Sequence, residues 1–223
     1  MIEITMKQVW DEEPCADGWN LFAEYYDLPT FSEMEDYEAT NFEFESVVYK
    51  KFPLLDVLES NGLDDALHCT QAVPRHLAWA LLSTLFVKEV AHLAPVEIHQ
   101  TFTKLYRFMS DLYEATPKDQ RYPCTDQVKL QIRTFTLQCY TEINLHEVFT
   151  HAVVDAEIKK LVTFKTANLI RTLVRRMTSC GFEYTYGIHA DVALIATKFF
   201  GRDAARSVED RCEAAFVDIC KDN

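Results

Sequence analysis

Glycine stands at only five positions, 18, 62, 181, 187 and 201, in a chain of 223 residues. Sandwiches and barrels need many turns, and turns need residues that tolerate positive φ. A chain this poor in glycine is directed toward long, regular elements with few connections. Seven prolines punctuate those elements, and 48% of the residues are apolar, enough to fill a core. The expected fold class is all-α, a multi-helix bundle or helical stack with a long acidic N-terminal loop.

Apolar spacing and capping residues place the helices. Thr5 is a suitable cap for a short helix to about Asp11, and Pro14 separates it from the next. Asp17 reads as the N-cap of that second helix, with Trp19, Leu21, Phe22 and Tyr25 on its apolar side and Pro29 beyond its end. From Thr30 to Ser46 aromatic and acidic residues alternate without a sustained period, which reads as a loop with at most a helical turn. Pro53 opens a helix that Ser60-Asn61-Gly62 should close, and Leu63 to Val73 form another. Pro74 to Leu93 is apolar nearly all round, through Leu77, Trp79, Leu82, Phe86 and Val87, and such a helix belongs at a centre. Pro95 opens the next, with Ile98, Phe102, Leu105, Phe108, Met109 and Leu112 as its core stripe.

Residues 116–125 carry Pro117 and Pro123 and read as a loop. They suggest a division into an acidic N-terminal helical region, 1–115, and a C-terminal helical region, 116–223. After Asp126, the positions Val128, Ile132, Phe135 and Cys139 fit a helix face, but Val-Lys-Leu-Gln-Ile-Arg also alternates, so a strand stays open there. Two helices are expected between Leu145 and Met177, and two more, 190–199 and 203–220, on either side of Gly201.

Charge is distributed unevenly. Residues 1–65 hold 17 Asp/Glu against 3 Lys/Arg, a net of −14, and no Lys or Arg occurs from Asp11 through Tyr49. Residues 66–223 hold 18 acidic and 19 basic residues, a net of +1. Such a layout opposes direct binding to nucleic acid, whose phosphates the chain's own field repels. The one basic cluster, Lys159, Lys160, Lys165, Arg171, Arg175 and Arg176, reads as a solvated helix face or a dock for the acidic segment.

The patterns that carry common chemistries are missing or incomplete. Seven cysteines at 15, 69, 124, 139, 180, 212 and 220 form no Cys-x-x-Cys pair, which favours free thiols over a zinc knuckle or disulfide framework. Glu89 and His92 have the Glu-x-x-His spacing of carboxylate-bridged di-iron bundles, but no second copy exists. His146 and His151 resemble a zincin pair with one residue too many; five residues turn the imidazoles about 140° apart on a helix. There is no Gly-x-Ser-x-Gly elbow, P-loop or dinucleotide fingerprint. No catalytic residue, metal site or cofactor is expected.

What remains is the acidic segment. Glu33, Glu35, Asp36, Glu38, Glu43 and Glu45 are interleaved with Tyr37 and Phe42. Aromatic anchors with a charged surround are the substance of protein interfaces, and these eight residues are the candidate partner-binding site. Their sign suits a basic partner that normally grips phosphates.

Two stretches carry a resemblance. Thr5-Met-Lys-Gln-Val9 with Pro14-Cys-Ala-Asp-Gly-Trp19, and Val57-Leu-Glu-Ser-Asn-Gly-Leu-Asp-Asp-Ala-Leu67, resemble the N-terminal part of uncharacterised accessory proteins of bacteria, phages and prophages. The likeness spans roughly residues 1–95, with the acidic segment as an insertion. It implies a mobile-element origin and supplies no catalytic motif. In kind, a small acidic accessory protein of this sort is similar to anti-CRISPR inhibitors.

The expected function is therefore a phage or mobile-element inhibitor. It would bind a nucleic-acid-handling defence complex of CRISPR-Cas type through its acidic surface, and block or disassemble it. An immunity or antitoxin-type protein against a basic toxin, and a metal-dependent helical enzyme, are the alternatives. No run of apolar residues is long enough to span a membrane, and Met1-Ile-Glu-Ile-Thr5 lacks the regions of a signal peptide, so the expected location is the host cytoplasm.

Overall fold

Thr5 fixes the first helix through a reciprocal cap. Its hydroxyl accepts from the Gln8 backbone N–H at 3.2 Å, and the Gln8 side chain accepts from the Thr5 N–H at 2.8 Å. Helix α1, Met6–Asp11, follows, with Lys7 and Asp11 paired one turn apart at 2.7 Å. These contacts come from a computed structural model, which describes residues 1–40, 49–73, 76–91, 96–142 and 185–223. Two compact units make up the chain: Met1–Pro74 with Val217–Asn223, and Arg75–Phe216. The prolines around residue 120, expected to mark a boundary, lie inside the second unit.

In the first unit, helix α2 spans Ala16–Tyr26, starting two residues earlier than an Asp17 cap would give. Cys15 is the cap: its backbone is extended, and its Sγ accepts from the Gly18 N–H at 3.3 Å. Asp17 instead sits in the first turn, where a carboxylate favours the positive end of the helix. The helix ends at Asp27, which is left-handed at φ 53°, two residues before Pro29.

Helix α3, Phe31–Thr40, occupies ground that reads as loop in the sequence. Its start is a second reciprocal cap. Glu33 accepts from the Thr30 N–H and hydroxyl, each at 2.8 Å, and the Glu33 N–H returns to the Thr30 hydroxyl at 3.4 Å. Dense carboxylates hid a helix that Met34, 1% exposed, anchors.

Two three-residue strands were not foreseen. β1, Glu3–Thr5, pairs antiparallel with β2, Lys51–Pro53, in the register Ile4 to Phe52. Each contributes one buried side chain, too few to show a period of two in the sequence. The Ile2 N–H donates to the Cys220 carbonyl at 3.1 Å and the Leu54 N–H donates to the Ile2 carbonyl at 3.0 Å, which ties both chain ends to one core. Helix α4, Leu54–Asn61, starts after Pro53 and stops at Gly62, φ 88°, as its sequence demands. Helix α5, Leu63–His68, runs into a 3₁₀ turn, Cys69–Ala72. Trp19, Phe22, Phe52, Leu54, Val57 and Leu67 fill the core of this unit.

The second unit is built on α6, Leu77–Ala91, the helix that is apolar all round. Leu77, Ala78, Leu82, Phe86 and Val87 are all at most 1% exposed. It packs between α7, Val96–Ala115, and α9, Thr185–Phe200, while α8, Asp126–Glu142, packs on α7. The strand alternative for α8 falls with Leu130: a strand would face it with Val128 and Ile132, yet those two are buried and Leu130 is 64% exposed. Gly201, φ 82°, separates α9 from α10, Arg202–Asp222, whose stripe Ala205, Val208, Cys212 and Phe216 is buried.

The segment after α7 is tied to the start of α6. The Leu77 N–H donates to the Arg121 carbonyl at 3.0 Å, and the Arg121 guanidinium lies 3.8 Å from the Tyr113 ring centroid. The His76 ring stacks on Tyr122 with 11° between planes, and its Nδ1 accepts from the Ala78 N–H at 3.0 Å.

The fold is thus all-α with one small two-stranded sheet, and among the described residues no helix is long and apolar enough to cross a membrane.

Candidate protein-interaction site

The two familiar stretches meet inside the first unit. Asn61 Nδ2 donates to the Gly18 carbonyl at 2.7 Å and to Asp65 Oδ2 at 2.8 Å. A Cβ at Gly18 would come within 2.9 Å of that same Asp65 oxygen. The Pro14–Trp19 and Val57–Leu67 motifs therefore lock α2 to the α4–α5 corner. Their role is to hold the unit together, which leaves the surface of α2 and α4 for other work.

That surface carries a feature that sequence reading misplaced. Leu21 and Tyr25, expected on the apolar side of α2, are 52% and 47% exposed and lie one turn apart. Phe22 takes the inward position and meets Phe52 with ring centroids 4.5 Å apart. Tyr25 is bonded through its hydroxyl to Glu59 of α4, and this bond raises its pKa above the ordinary phenol value. The neighbouring Tyr26 hydroxyl donates to Asp56 Oδ2. Asp56 is raised from the usual carboxylate range, first by desolvation and then by the charge of Glu59. Lys50 places its ammonium 5.3 Å from the Tyr26 ring centroid. Two tyrosines are thus held by two carboxylates, with an apolar neighbour beside them. Fixed aromatic faces edged by negative oxygens receive guanidinium and ammonium groups well.

The eight residues expected to bind a partner fare differently. Glu33, Glu35 and Asp36 lie on the exposed part of α3, and Tyr37 and Glu38 lie further along it. The Glu33 carboxylate is engaged in the helix cap, and the Thr30 N–H it accepts from, followed by the Thr30 hydroxyl, lowers its pKa. Phe42, Glu43 and Glu45 lie outside the described residues, as do His92, His146, His151 and the basic cluster from Lys159 to Arg176. Helix α3 is secured by Phe31, 5.0 Å from the Trp10 ring, and by the Phe31 N–H donating to Asn20 Oδ1 at 2.8 Å. The signal that would have exposed the α2–α4 pair was the i, i+4 spacing of Leu21 and Tyr25, which Phe22 and Trp19 overshadow.

Four of the described side chains with catalytic potential are engaged or buried. Glu89 accepts from Arg211 Nε at 2.7 Å. Burial pushes the Cys69, Cys212 and Cys220 thiols up to about 12, which makes them poor nucleophiles. Among the described residues no three His, Cys, Asp or Glu side chains converge on a metal position.

Fold and surface together define an all-α, two-unit chain with a tyrosine–carboxylate face on its acidic unit. Comparison of the chain with known protein families, with curated proteins and with solved structures finds no match.

Proposed function

We propose that this chain is an inhibitor that binds a nucleic-acid-handling defence complex of CRISPR-Cas type, covers the basic surface that would hold phosphates, and blocks or disassembles the complex. The observation that carries the reading is the exposed Tyr25 bonded to Glu59, with the half-buried Tyr26 and Asp56 behind them, set in a segment of net charge −14. Glu35 and Asp36 on α3 add carboxylates to the same unit. A partner rich in Arg and Lys is steered there by charge and held by the aromatic faces. The resemblance of the two motifs to accessory proteins of phages and prophages supports a mobile-element origin.

The test is phage plating on cells that carry an active CRISPR-Cas defence, with the chain supplied in trans. Wild-type chain restores plaques of a targeted phage and co-purifies with the effector complex. Tyr25→Ala combined with Glu59→Lys abolishes both effects, and Glu35→Lys with Asp36→Lys weakens them. Plaques restored equally by the wild-type chain and the Tyr25/Glu59 variant would remove the proposed face. No restoration by the wild-type chain in any defended host would remove the function.

A further inference from the structure

The second unit, near neutral in charge, carries a solvent-open cavity of about 610 Å³ along α7, edged by α8. That is the size range of small-molecule sites. Its lining is concentrated on one side of α7: His99, Thr103 and Arg107 recur at four-residue intervals, as do Gln100, Lys104 and Phe108. Phe135 of α8 extends the Phe108 side of the lining, its ring stacked on Phe108 with centroids 3.9 Å apart and 10° between planes. The Lys104 ammonium lies 5.8 Å from the Phe135 ring centroid. Arg107 is exposed. His99 Nδ1 is buried and has no hydrogen-bond partner among the described residues. One carboxylate, Asp111, also lines the cavity and opposes an anion.

From this arrangement we infer that the cavity binds a small oxyanion carried on a flat, unsaturated ring. Lys104 and Arg107 hold the oxyanion through charge-assisted hydrogen bonds. The Phe108–Phe135 wall receives the ring, and Gln100, Thr103 and His99 supply the polar contacts that orient it. A nucleoside monophosphate and a simple aryl phosphate both present this chemistry. The site is independent of the acidic face of the first unit, so either one can fail without the other.

Titration calorimetry of the full chain tests it with four probes: adenosine monophosphate, phenyl phosphate, adenosine and inorganic phosphate. At least one of the two ring-bearing phosphates binds saturably, and adenosine and inorganic phosphate each bind at least about tenfold more weakly, as loss of one charge-assisted contact or of ring burial requires. If adenosine monophosphate is the tighter, the ligand is a nucleotide; if phenyl phosphate matches it, the site takes aryl anions generally. Arg107→Gln and Lys104→Gln each weaken binding about tenfold. Asp111→Asn tightens it about twofold, because a nearby like charge is removed in a solvent-exposed setting. All three side chains are exposed, so the variants keep the helix core. The inference is overturned if no ring-bearing phosphate binds saturably, if inorganic phosphate binds as tightly as they do, or if the Lys104 and Arg107 variants bind like wild type.

Discussion

Gly18 shows how one residue can carry a motif. Alanine there gains helix propensity, about 1 kcal/mol. Its methyl group, however, would press on an Asp65 oxygen that Asn61 holds in place, 2.9 Å from the new Cβ. Overpacking of this kind costs about 1–3 kcal/mol, so Gly18→Ala should be net destabilising in urea denaturation. In an Asp65→Ala background the tightest contact is gone, Cys15 Sγ remaining at 3.2 Å, and the same substitution should destabilise less. A Gly18→Ala effect of equal size and sign in both backgrounds would show that the contact is not what demands glycine. His76 gives a pH prediction. Its pKa is lowered from 6.5 to about 4, first by desolvation and then by the Arg121 charge. Between those values the unfolded chain takes up a proton that the folded chain rejects. The neutral ring's contribution is whole above pH 6.5 and is lost as pH falls toward 4. Between pH 7 and pH 5 the loss should be about 2 kcal/mol. Replacing His76 with Gln should flatten the urea-stability profile by that amount, and parallel profiles for the two proteins would contradict it.

At the scale of elements, sequence and structure agree wherever local chemistry is strong. The Thr5 cap, the Pro53 start, the Gly62 stop and the Gly201 break all stand where their residues require. The apolar helix α6 is central in its unit, because a helix with no polar side must be covered on every side. The disagreements fall where local signals were balanced. Helix α3 looked like a loop because its carboxylates outweigh Met34, and the Thr30–Glu33 cap alone announced it. For α8, the alternating and helical patterns coincide over six residues, and only the exposure of Leu130 separates them. The helices also decide thiol reactivity. Cys69, Cys212 and Cys220 are buried within their units while Cys15 is exposed at a helix cap. Native iodoacetamide labelling followed by peptide mapping should therefore modify Cys15 and spare the other three until denaturant is added. Early labelling of Cys212 or Cys220 would contradict the packing of α10.

For the whole molecule, the charge layout governs how it meets others. An acidic unit whose charge a near-neutral one does not offset creates a field that speeds encounter with a basic partner and repels nucleic acid. Association with the proposed defence complex should slow steeply with added salt, while dissociation, set by Tyr25 and Tyr26, should change little. Surface plasmon resonance at two ionic strengths separates the two rates, and a salt-independent association rate would contradict electrostatic steering. The sequence by itself determined the helical class, most helix ends and the charge asymmetry, because glycine scarcity, caps, prolines and side-chain charges act locally. Only the tertiary structure decided that Gly18, Asn61 and Asp65 form one lock, that Ile4 and Phe52 pair across a small sheet, and that Tyr25 faces outward onto Glu59. Each of these joins residues far apart in the chain, and which side of a helix is covered depends on what the rest of the chain brings to it.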